Sequence, residues 1–195
     1  MRLADARKDH YRRLAKDQGY RSRAAYKLKQ INDSYRIIKR SARIVDIGCA
    51  PGGWVQVATE ISNGRVVGID IKPVEPVQGA TILQGSIDDP IAVARIIETL
   101  GEKADVVLSD LAPNVSGMWE VDHARQIDLT RNALALARQI LKPGGSAVFK
   151  VFEGEFLSEL KKEMATSFSK VLISKPTASR QESSELYLVC LNFHN

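Results

Sequence analysis

The stretch VDIGCAPGGW, residues 45–54, joins a short apolar run to a segment with helical spacing. Gly48, Gly52 and Gly53 let the backbone turn tightly and come close to a ligand. In open α/β sheets, ligands bind beyond the carboxyl ends of the strands, which is where this loop would lie. We therefore expect the three glycines, and Asp46 at the end of the strand, to line a cofactor site.

From residue 44 onward, strand-like and helix-like segments alternate along the chain. This alternation favours an α/β, Rossmann-like fold, with a mostly parallel sheet and helices on both of its faces. Asp89 and Pro90 are typical of a helix start, and Gly101 of a helix end. A long amphipathic helix is predicted to start at residue 124 and to stop at residues 143–145, Pro-Gly-Gly. The short connection between the last two strands predicts an antiparallel edge strand.

The first 43 residues form a basic block that carries 14 Lys and Arg against 4 Asp and Glu. The remaining residues carry 14 Lys and Arg against 19 Asp and Glu. Four of the five tyrosines also lie in the block: Tyr11, Tyr20, Tyr26 and Tyr35. Basic residues interleaved with aromatic rings suit phosphate contacts and base stacking. The same pattern fits a solvated basic arm with tyrosines packed on the core. We expect residues 1–43 to be a helical extension on a domain of residues 44–195, in a single-domain protein.

Several classes of protein are excluded by composition. The sequence has no run of about 18 apolar residues, so no membrane span is predicted. The N-terminal residues lack the apolar core of a secretory signal. The two cysteines, Cys49 and Cys190, do not form a metal-type cluster. They favour a reducing, cytoplasmic location and predict no zinc or other metal site.

Two cofactors compete for the glycine loop. Residues 48–53 match a variant of the dinucleotide fingerprint, and Asp70 follows about 20 residues later, where a carboxylate can hold ribose hydroxyls. NAD is therefore a real alternative, as is a purely structural turn. Pro51, however, removes an N–H donor where a pyrophosphate would need one. S-adenosylmethionine has no phosphate, so the loop favours it.

Two further polar residues are predicted at the same edge of the sheet. Asp110 follows the fourth strand, before a rigid Ala-Pro-Asn turn, and Lys150 lies near the carboxyl end of the fifth. A lysine within the apolar run SAVFKVF is unusual, because a buried lysine is costly unless it is paired. We expect Lys150 to face a polar cleft beside Asp110, and Asp110 to contact the cofactor as well.

Five blocks, in order, now resemble a known family: RSRAAYKL, VDIGCAPGGW, SDLAPNVSG, VFKVFEG and KPTASRQESSELYLV. They are similar to the signatures of the FtsJ/RrmJ-type ribosomal RNA large subunit ribose 2′-O-methyltransferases. The resemblance covers residues 21–190. It implies S-adenosylmethionine-dependent methylation of a ribose 2′-OH in RNA.

The resemblance also implies a catalytic Lys-Asp-Lys-Glu tetrad, which falls on Lys27, Asp110, Lys150 and Glu185. Glu182 competes for the last place, but Glu185 directly precedes the apolar residue and tyrosine of the last strand, as in the family. A 2′-OH is a poor nucleophile that must be oriented and lose its proton. Lys150 either accepts that proton as a neutral amine, or orients the oxygen as a charged group while the proton leaves late.

For the cofactor, the resemblance implies Gly52, Gly53 and Trp54 near the methionine and ribose parts, with Asp70 on the ribose hydroxyls. The family usually has Gly-Asp after the third strand, where this chain has Gly-Ser followed by two aspartates. Either Ser86 contacts the adenine, or Asp88 reaches back to it.

The likeness extends to the RNA target. The Pro-Gly-Gly-Trp loop and Ala-Pro-Asn turn resemble enzymes that modify a uridine in the A loop of 23S-type rRNA. Relatives acting on tRNA anticodon loops are an alternative, as is a non-catalytic RNA-binding module. We expect a monomer that binds the large ribosomal subunit or its rRNA, with no membrane partner. Four cations are predicted RNA contacts: Arg21, Arg23, Lys175 and Arg180.

Overall fold

The computed structural model describes residues 3–179 and 183–194, with side chains from residue 10 onward. Two helices come first, α1 (Leu3–Asp17) and α2 (Ala24–Tyr35). The rest of the described chain forms β1 (Ile44–Ile47), α3 (Gly53–Ile61), β2 (Val66–Asp70), β3 (Ala80–Gln84), α4 (Pro90–Leu100), β4 (Ala104–Ser109), α5 (Trp119–Ile140), β5 (Leu141–Phe152), α6 (Leu157–Ala165), β6 (Phe168–Ser174) and β7 (Glu185–Phe193). None of the described helices is both long and apolar enough to cross a membrane.

The strands form one sheet in the order β3-β2-β1-β4-β5-β7-β6. Strands β1 to β5 pair in parallel, whereas β7 pairs antiparallel with both β5 and β6. The predicted mostly parallel sheet with antiparallel pairing at one edge is confirmed. The chain winds outward from β1 in one direction and from β4 in the other. Ligands of open α/β sheets bind at such a switch point, beyond the carboxyl ends of the strands.

Helices cover both faces of the sheet, and each face has its own apolar core. One core holds α4, α5 and α6 against the sheet, through residues such as Ile96, Leu134 and Leu160. The other holds α1, α2 and α3, and includes Leu28 and Val55. The basic N-terminal helices therefore share a core with the sheet, because their apolar side chains can be buried only there.

Helix α5 differs from the prediction at both ends. It begins earlier than expected, at Trp119, because the Asp122 carboxylate accepts hydrogen bonds from Ser116 N and Oγ (both 2.8 Å) and from Gly117 N (3.1 Å). It ends at Ile140, before the predicted stop at residues 143–145. The residue that precedes a proline is disfavoured in helical conformation, so the last turn cannot continue to Pro143. The segment from Leu141 instead joins β5.

Helix α4 has the predicted ends. The Asp89 carboxylate accepts a hydrogen bond from Ile91 N at 2.9 Å, and Pro90 occupies the first helical position. Gly101 closes the helix with a φ of 72°, a conformation that favours glycine. This helix follows β3 and so borders the carboxyl edge of the sheet.

Candidate active site

The structure brings the four predicted tetrad side chains together. Lys27 Nζ lies 2.5 Å from Glu185 Oε1. Lys150 Nζ lies 3.5 Å from Asp110 Oδ1 and 3.7 Å from Glu185 Oε2. Glu185 therefore stands between two lysines, and Lys150 between two carboxylates. The cluster alternates in charge, which is how proteins accommodate charged groups that are largely removed from water.

Each of these residues is positioned by a different element. Lys27 projects from the second turn of α2, and Asp110 directly follows β4. In the antiparallel β5–β7 pair, Lys150 lies opposite Tyr187, and Phe152 lies opposite Glu185. Since side chains two residues apart on a strand share a face, Lys150 and Glu185 reach the same edge of the sheet. The Lys150 side chain is only 11% exposed, so it is more deeply buried than a lysine facing an open polar cleft would be.

Tyr187 lies at the centre of the cluster and was missed from the sequence as a site residue. Its hydroxyl hydrogen-bonds to Asp110 Oδ1 at 3.0 Å and to Glu185 Oε1 at 3.2 Å. Burial, followed by the two nearby carboxylates, raises the pKa of Tyr187 well above its ordinary value, so the phenol stays protonated. The available signal was its spacing of two residues from Glu185, which places both side chains on one face of β7.

Glu185 is held strongly in its charged form. Burial raises its pKa, but the Lys27 and Lys150 ammonium groups and a hydrogen bond from Ser179 outweigh burial and lower the pKa to about 2. Ser179 Oγ donates to Glu185 Oε1 at 3.0 Å. A carboxylate that stays charged across the physiological range can fix the position of both lysines.

Beside the cluster, a cavity of about 140 Å³ opens at the switch point between β1 and β4. Five of the predicted cofactor residues line it: Asp46, Gly48, Gly53, Trp54 and Asp110. Since Asp110 belongs to both the cavity and the tetrad cluster, a ligand here would lie directly against the cluster.

Asp46 is the most unusual residue of this cavity. Its side chain is fully buried, and neither carboxylate oxygen has a hydrogen-bond partner among the described residues. Burial, reinforced by the negative charges of Asp110 and Asp70, raises the pKa of Asp46 well above its ordinary value. A buried carboxylate without a partner is costly, so this position favours a ligand that brings a cation or hydrogen-bond donors.

Three other predicted cofactor residues, Asp70, Ser86 and Asp88, are not among the residues that line this cavity. Asp70 Oδ2 accepts from Ala50 N at 2.9 Å, and Asp70 Oδ1 accepts from Lys72 N at 2.8 Å. The carboxylate therefore fastens the glycine loop to the end of β2, although each oxygen keeps a second lone pair for a ligand. Ser86 and Asp88 face one another, with 3.4 Å between Ser86 Oγ and Asp88 Oδ2. Both follow β3, so the choice between them as the adenine contact stays open.

Trp54 connects the loop to the N-terminal extension. Its indole Nε1 donates to the Ala24 carbonyl at 2.7 Å, and its ring lies 5.6 Å from the Tyr187 ring. The side chain is nearly buried, with 3% exposed. Trp54 thus fixes the start of α3 against both α2 and β7.

Arg21, predicted as an RNA contact, makes hydrogen bonds within the protein and also lines a groove beside the glycine loop. Its Nη1 donates to the Glu75 carbonyl at 2.6 Å and to the Pro51 carbonyl at 3.2 Å, and its Nη2 donates to the Pro76 carbonyl at 2.6 Å. Its backbone N also donates to Gln56 Oε1 at 2.9 Å. The guanidinium therefore clamps the glycine loop to the segment after β2, which local sequence patterns cannot reveal.

The glycine loop is closely covered by this linker between α1 and α2. A Cβ atom at Gly52 would lie 2.9 Å from Arg21 Nη1, and Gly52 has a φ of 111°. A Cβ atom at Gly53 would lie 2.5 Å from Ser22 Oγ. Both glycines are needed because the linker packs against the backbone that forms the cavity.

The other predicted RNA contacts have different surroundings. Arg23 precedes α2 and lines a groove near the glycine loop. Lys175 is exposed just after β6. Arg180, and the competing Glu182, lie outside the described residues.

Two tyrosines of the basic block are not available for base stacking. Tyr20 and Tyr26 are buried, and their hydroxyls donate to Glu60 Oε2 at 2.6 Å and to Gln18 Oε1 at 2.8 Å. For these two residues, packing on the core is the interpretation that the structure supports. Within the described residues, no group of three or more His, Cys, Asp or Glu side chains is arranged to hold a metal ion.

Comparison with a solved structure shows which class of protein has this fold. The chain is 33% identical to a Plasmodium falciparum protein assigned as a ribosomal RNA methyltransferase, whose crystal structure superimposes with a TM-score of 0.80. The match covers 89% of this chain and 98% of that one. The fold is that of a Rossmann-like methyltransferase.

The particular family follows from the sequence relatives. The family model for FtsJ-like methyltransferases matches residues 20–193. A protein of Methanothrix thermoacetophila, named Ribosomal RNA large subunit methyltransferase E, is 52% identical over 96% of this chain and 73% of its own. The protein of that name from Cenarchaeum symbiosum is 50% identical over 99% of both chains. This chain belongs to the FtsJ-like methyltransferase family.

Proposed function

We propose that this protein transfers a methyl group from S-adenosylmethionine to a ribose 2′-OH in large-subunit ribosomal RNA. The observation that carries the proposal is the convergence of Lys27, Asp110, Lys150 and Glu185 beside a cavity at the sheet switch point. The proposal assigns the catalytic roles to these four residues.

The cavity has the properties that the methyl donor needs. The buried carboxylate of Asp46 has no partner among the described residues, and a donor with an amino group and a sulfonium charge would supply both hydrogen bonds and positive charge. Gly48, Gly53 and Trp54 would hold the methionine part, and Asp70 the ribose hydroxyls. Ser86 or Asp88 would serve the adenine. When bound, the donor supplies a methyl group on a sulfonium sulfur.

Transfer requires little of the protein beyond position and charge. The 2′-oxygen would take the methyl group as the S–C bond breaks and leaves a neutral thioether, and the hydroxyl proton would pass to Lys150 or to solvent. Lys150 would orient the 2′-oxygen or accept its proton, held by Asp110 and Glu185 on either side. Lys27 would fix Glu185, and the protonated Tyr187 would fix the carboxylates.

RNA would approach over the N-terminal helices. A groove of about 490 Å³ between α1 and the linker is lined by cations that include Arg12, Lys16 and Arg23. The groove shares Ser22 with the cavity, so a phosphate chain lying in it would reach the tetrad. Phosphate contacts of this kind weaken steeply as the salt concentration rises. Lys175, exposed beyond β6, and Arg180 are further proposed contacts.

The proposed target is a uridine in the A loop of 23S-type rRNA. The relatives that are about half identical carry the name of a large-subunit rRNA methyltransferase, which supports this choice over tRNA. The partner would be the large ribosomal subunit or its rRNA, met in the cytoplasm by a monomeric enzyme.

The Arg21 clamp gives a prediction about the cofactor. Arg21→Ala should weaken S-adenosylmethionine binding by about 10-fold, because charge-assisted hydrogen bonds to the loop carbonyls are lost and the loop must be ordered by the ligand instead. Isothermal titration calorimetry measures this affinity. The control is Arg12→Ala, which should weaken RNA binding and leave cofactor affinity unchanged. Unchanged cofactor affinity in Arg21→Ala, together with weaker RNA binding, would contradict this effect of the clamp and support Arg21 as the predicted RNA contact.

The proposed function is tested by following labelled methyl groups from S-adenosylmethionine into purified large-subunit rRNA, large subunits and tRNA. Methylated positions are then mapped by their resistance to alkaline cleavage, which requires a free 2′-OH. We expect one modified A-loop uridine, and no transfer by an Asp110→Ala variant. Methylation confined to tRNA would move the target, and transfer to no RNA would overturn the proposal.

A further inference from the structure

Large apolar side chains are exposed beside the candidate active site. Val115 is 74% exposed, Met118 59%, Trp119 45% and Phe156 40%. Val115 and Met118 lie in the loop that follows β4, Trp119 is the first residue of α5, and Phe156 lies in the loop that follows β5. Asp110 begins the first of these loops, and Lys150 lies on β5. Contiguous exposed apolar patches often mark binding surfaces, so we expect this patch to bind a ligand or partner.

The aromatic residues of the patch form an ordered row. The Trp119 ring lies 5.9 Å from Phe152 and 5.8 Å from His123, and the His123 ring lies 5.5 Å from Phe156 at an angle of 9°. His123 is buried and its Nε2 accepts a hydrogen bond from Phe156 N at 3.3 Å. A Cβ atom at Gly154 would lie 2.6 Å from the His123 ring. Trp119 is therefore held in place before any ligand arrives.

One end of the row, Phe152, lies close to the tetrad. Phe152 is two residues beyond Lys150 on β5, a distance of about 7 Å along a strand. Phe152 also lies directly opposite Glu185 in the β5–β7 pair. A ribose held at Lys150 would thus place its own base, or the base next to it, near Trp119.

The charges around the row distinguish a base from a phosphate. Glu120, Glu153 and Glu155 are all exposed beside the aromatic residues, and carboxylates repel a phosphate chain. The cations of the groove lie instead on the side of α1 and the linker. An uncharged, flat ligand suits this surface, and every base offers a ring face for stacking.

We propose that Trp119 is a stacking platform for a nucleobase of the substrate RNA, at or next to the methylated nucleotide. This rests on the proposed function and adds the contact that holds the target in register. Trp119 would bind the base without touching the reacting atoms.

Fluorescence tests the contact without any need for methyl transfer. The chain has two tryptophans, and Trp54 is nearly buried. An A-loop hairpin RNA should quench the emission of Trp119. The same hairpin with abasic sites at the target uridine and its neighbours should quench it much less. In Trp119→Phe, the quenching by the intact hairpin should disappear.

Kinetics tests the consequence. Trp119→Ala should raise KM for the RNA by about 5- to 100-fold, the range expected for loss of one stacked base. Trp119→Phe keeps a ring and should raise KM less, and S-adenosylmethionine affinity should not change in either variant. Ile173→Ala, an equally exposed apolar residue on β6, is the matched control and should keep KM unchanged.

The outcomes separate this inference from the proposed function. Normal RNA methylation with no quenching, and with unchanged KM in Trp119→Ala, overturns the platform and leaves the proposed function standing. Equal quenching by the intact and abasic hairpins also overturns it. A dimer that dissociates in Trp119→Ala, seen by sedimentation, would assign the patch to a second copy of the chain. Base-dependent quenching without methyl transfer to any RNA would support the platform while the proposed function fails.

Discussion

Replacing Lys150 with alanine is expected to lower kcat by at least about 10²- to 10⁴-fold, the usual contribution of a positioned acid–base group. Lys150 Nζ lies within 4 Å of two carboxylates, so its removal deletes the group that we propose holds the 2′-oxygen. Affinities for RNA and for the methyl donor should change little, because the interaction is needed mainly in the transition state. Single-turnover methyl transfer with saturating substrates measures the effect.

Two further variants test the role of Lys150 and provide a control. Lys150→Arg keeps a positive charge, but a guanidinium does not lose its proton in proteins. An arginine variant with substantial activity would reject the proton-acceptor role and leave orientation of the oxygen. Lys170→Ala removes an exposed lysine from β6 and should be fully active. Near-normal activity of Lys150→Ala, with its fold intact by circular dichroism, would contradict the site assignment.

Glu185→Gln should cost both activity and stability. It removes the negative charge that stands between Lys27 and Lys150 and leaves the two ammonium groups facing each other in a mostly buried site. Breaking a buried ion pair from one side costs about 3–5 kcal/mol of the free energy of unfolding. Urea denaturation measures this loss, and kcat should fall with it.

The double variant Lys27→Met/Glu185→Gln separates the two effects. It removes both partners, so much of the stability should return while methyl transfer stays low. Glu159→Gln is the matched control, since its pair with Arg131 is exposed and should contribute at most about 1 kcal/mol. If Glu185→Gln is no less stable than this control, the ion pair does not stabilise the fold.

The same carboxylate predicts how stability depends on pH. The pKa of Glu185 is lowered to about 2 in the folded protein, against about 4.3 in an unfolded chain. The unfolded state therefore binds the proton first as pH falls. The contribution of Glu185 is fully present above about pH 4.3 and is lost as pH falls toward 2. In Glu185→Gln, this part of the acid dependence should be missing.

Local sequence signals predicted most of the fold. The alternation of apolar strands and amphipathic helices depends on residue periodicity alone. Asp89 and Pro90 start helix α4, and Gly101 ends it, through local chemistry. The boundaries of α5 were predicted less well. Its start depends on the Asp122 carboxylate bonding back to Ser116 and Gly117, an arrangement that has no simple sequence signature.

The candidate site was predictable only in part, because some of its contacts join segments that are far apart in the sequence. Asp110 and Lys150 could be brought together because parallel strand ends meet at one edge of a sheet. Lys27 and Glu185 are 158 residues apart, and only the family likeness placed them together. The Arg21 clamp and the central position of Tyr187 depend on contacts between distant segments, so no local pattern contains them.

The position of β7 also determines when during synthesis the enzyme can become active. Strand β6 pairs only with β7 among the described strands, and β7 lies between β5 and β6. The residues that line the cavity all lie between positions 22 and 110 and emerge first, whereas Glu185 and Tyr187 arrive with the last strand. Domains form from the N-terminal side during translation. The residues of the cavity are therefore synthesised well before the cluster can be complete, because Glu185 joins Lys27, Asp110 and Lys150 only when the final strand is inserted between β5 and β6.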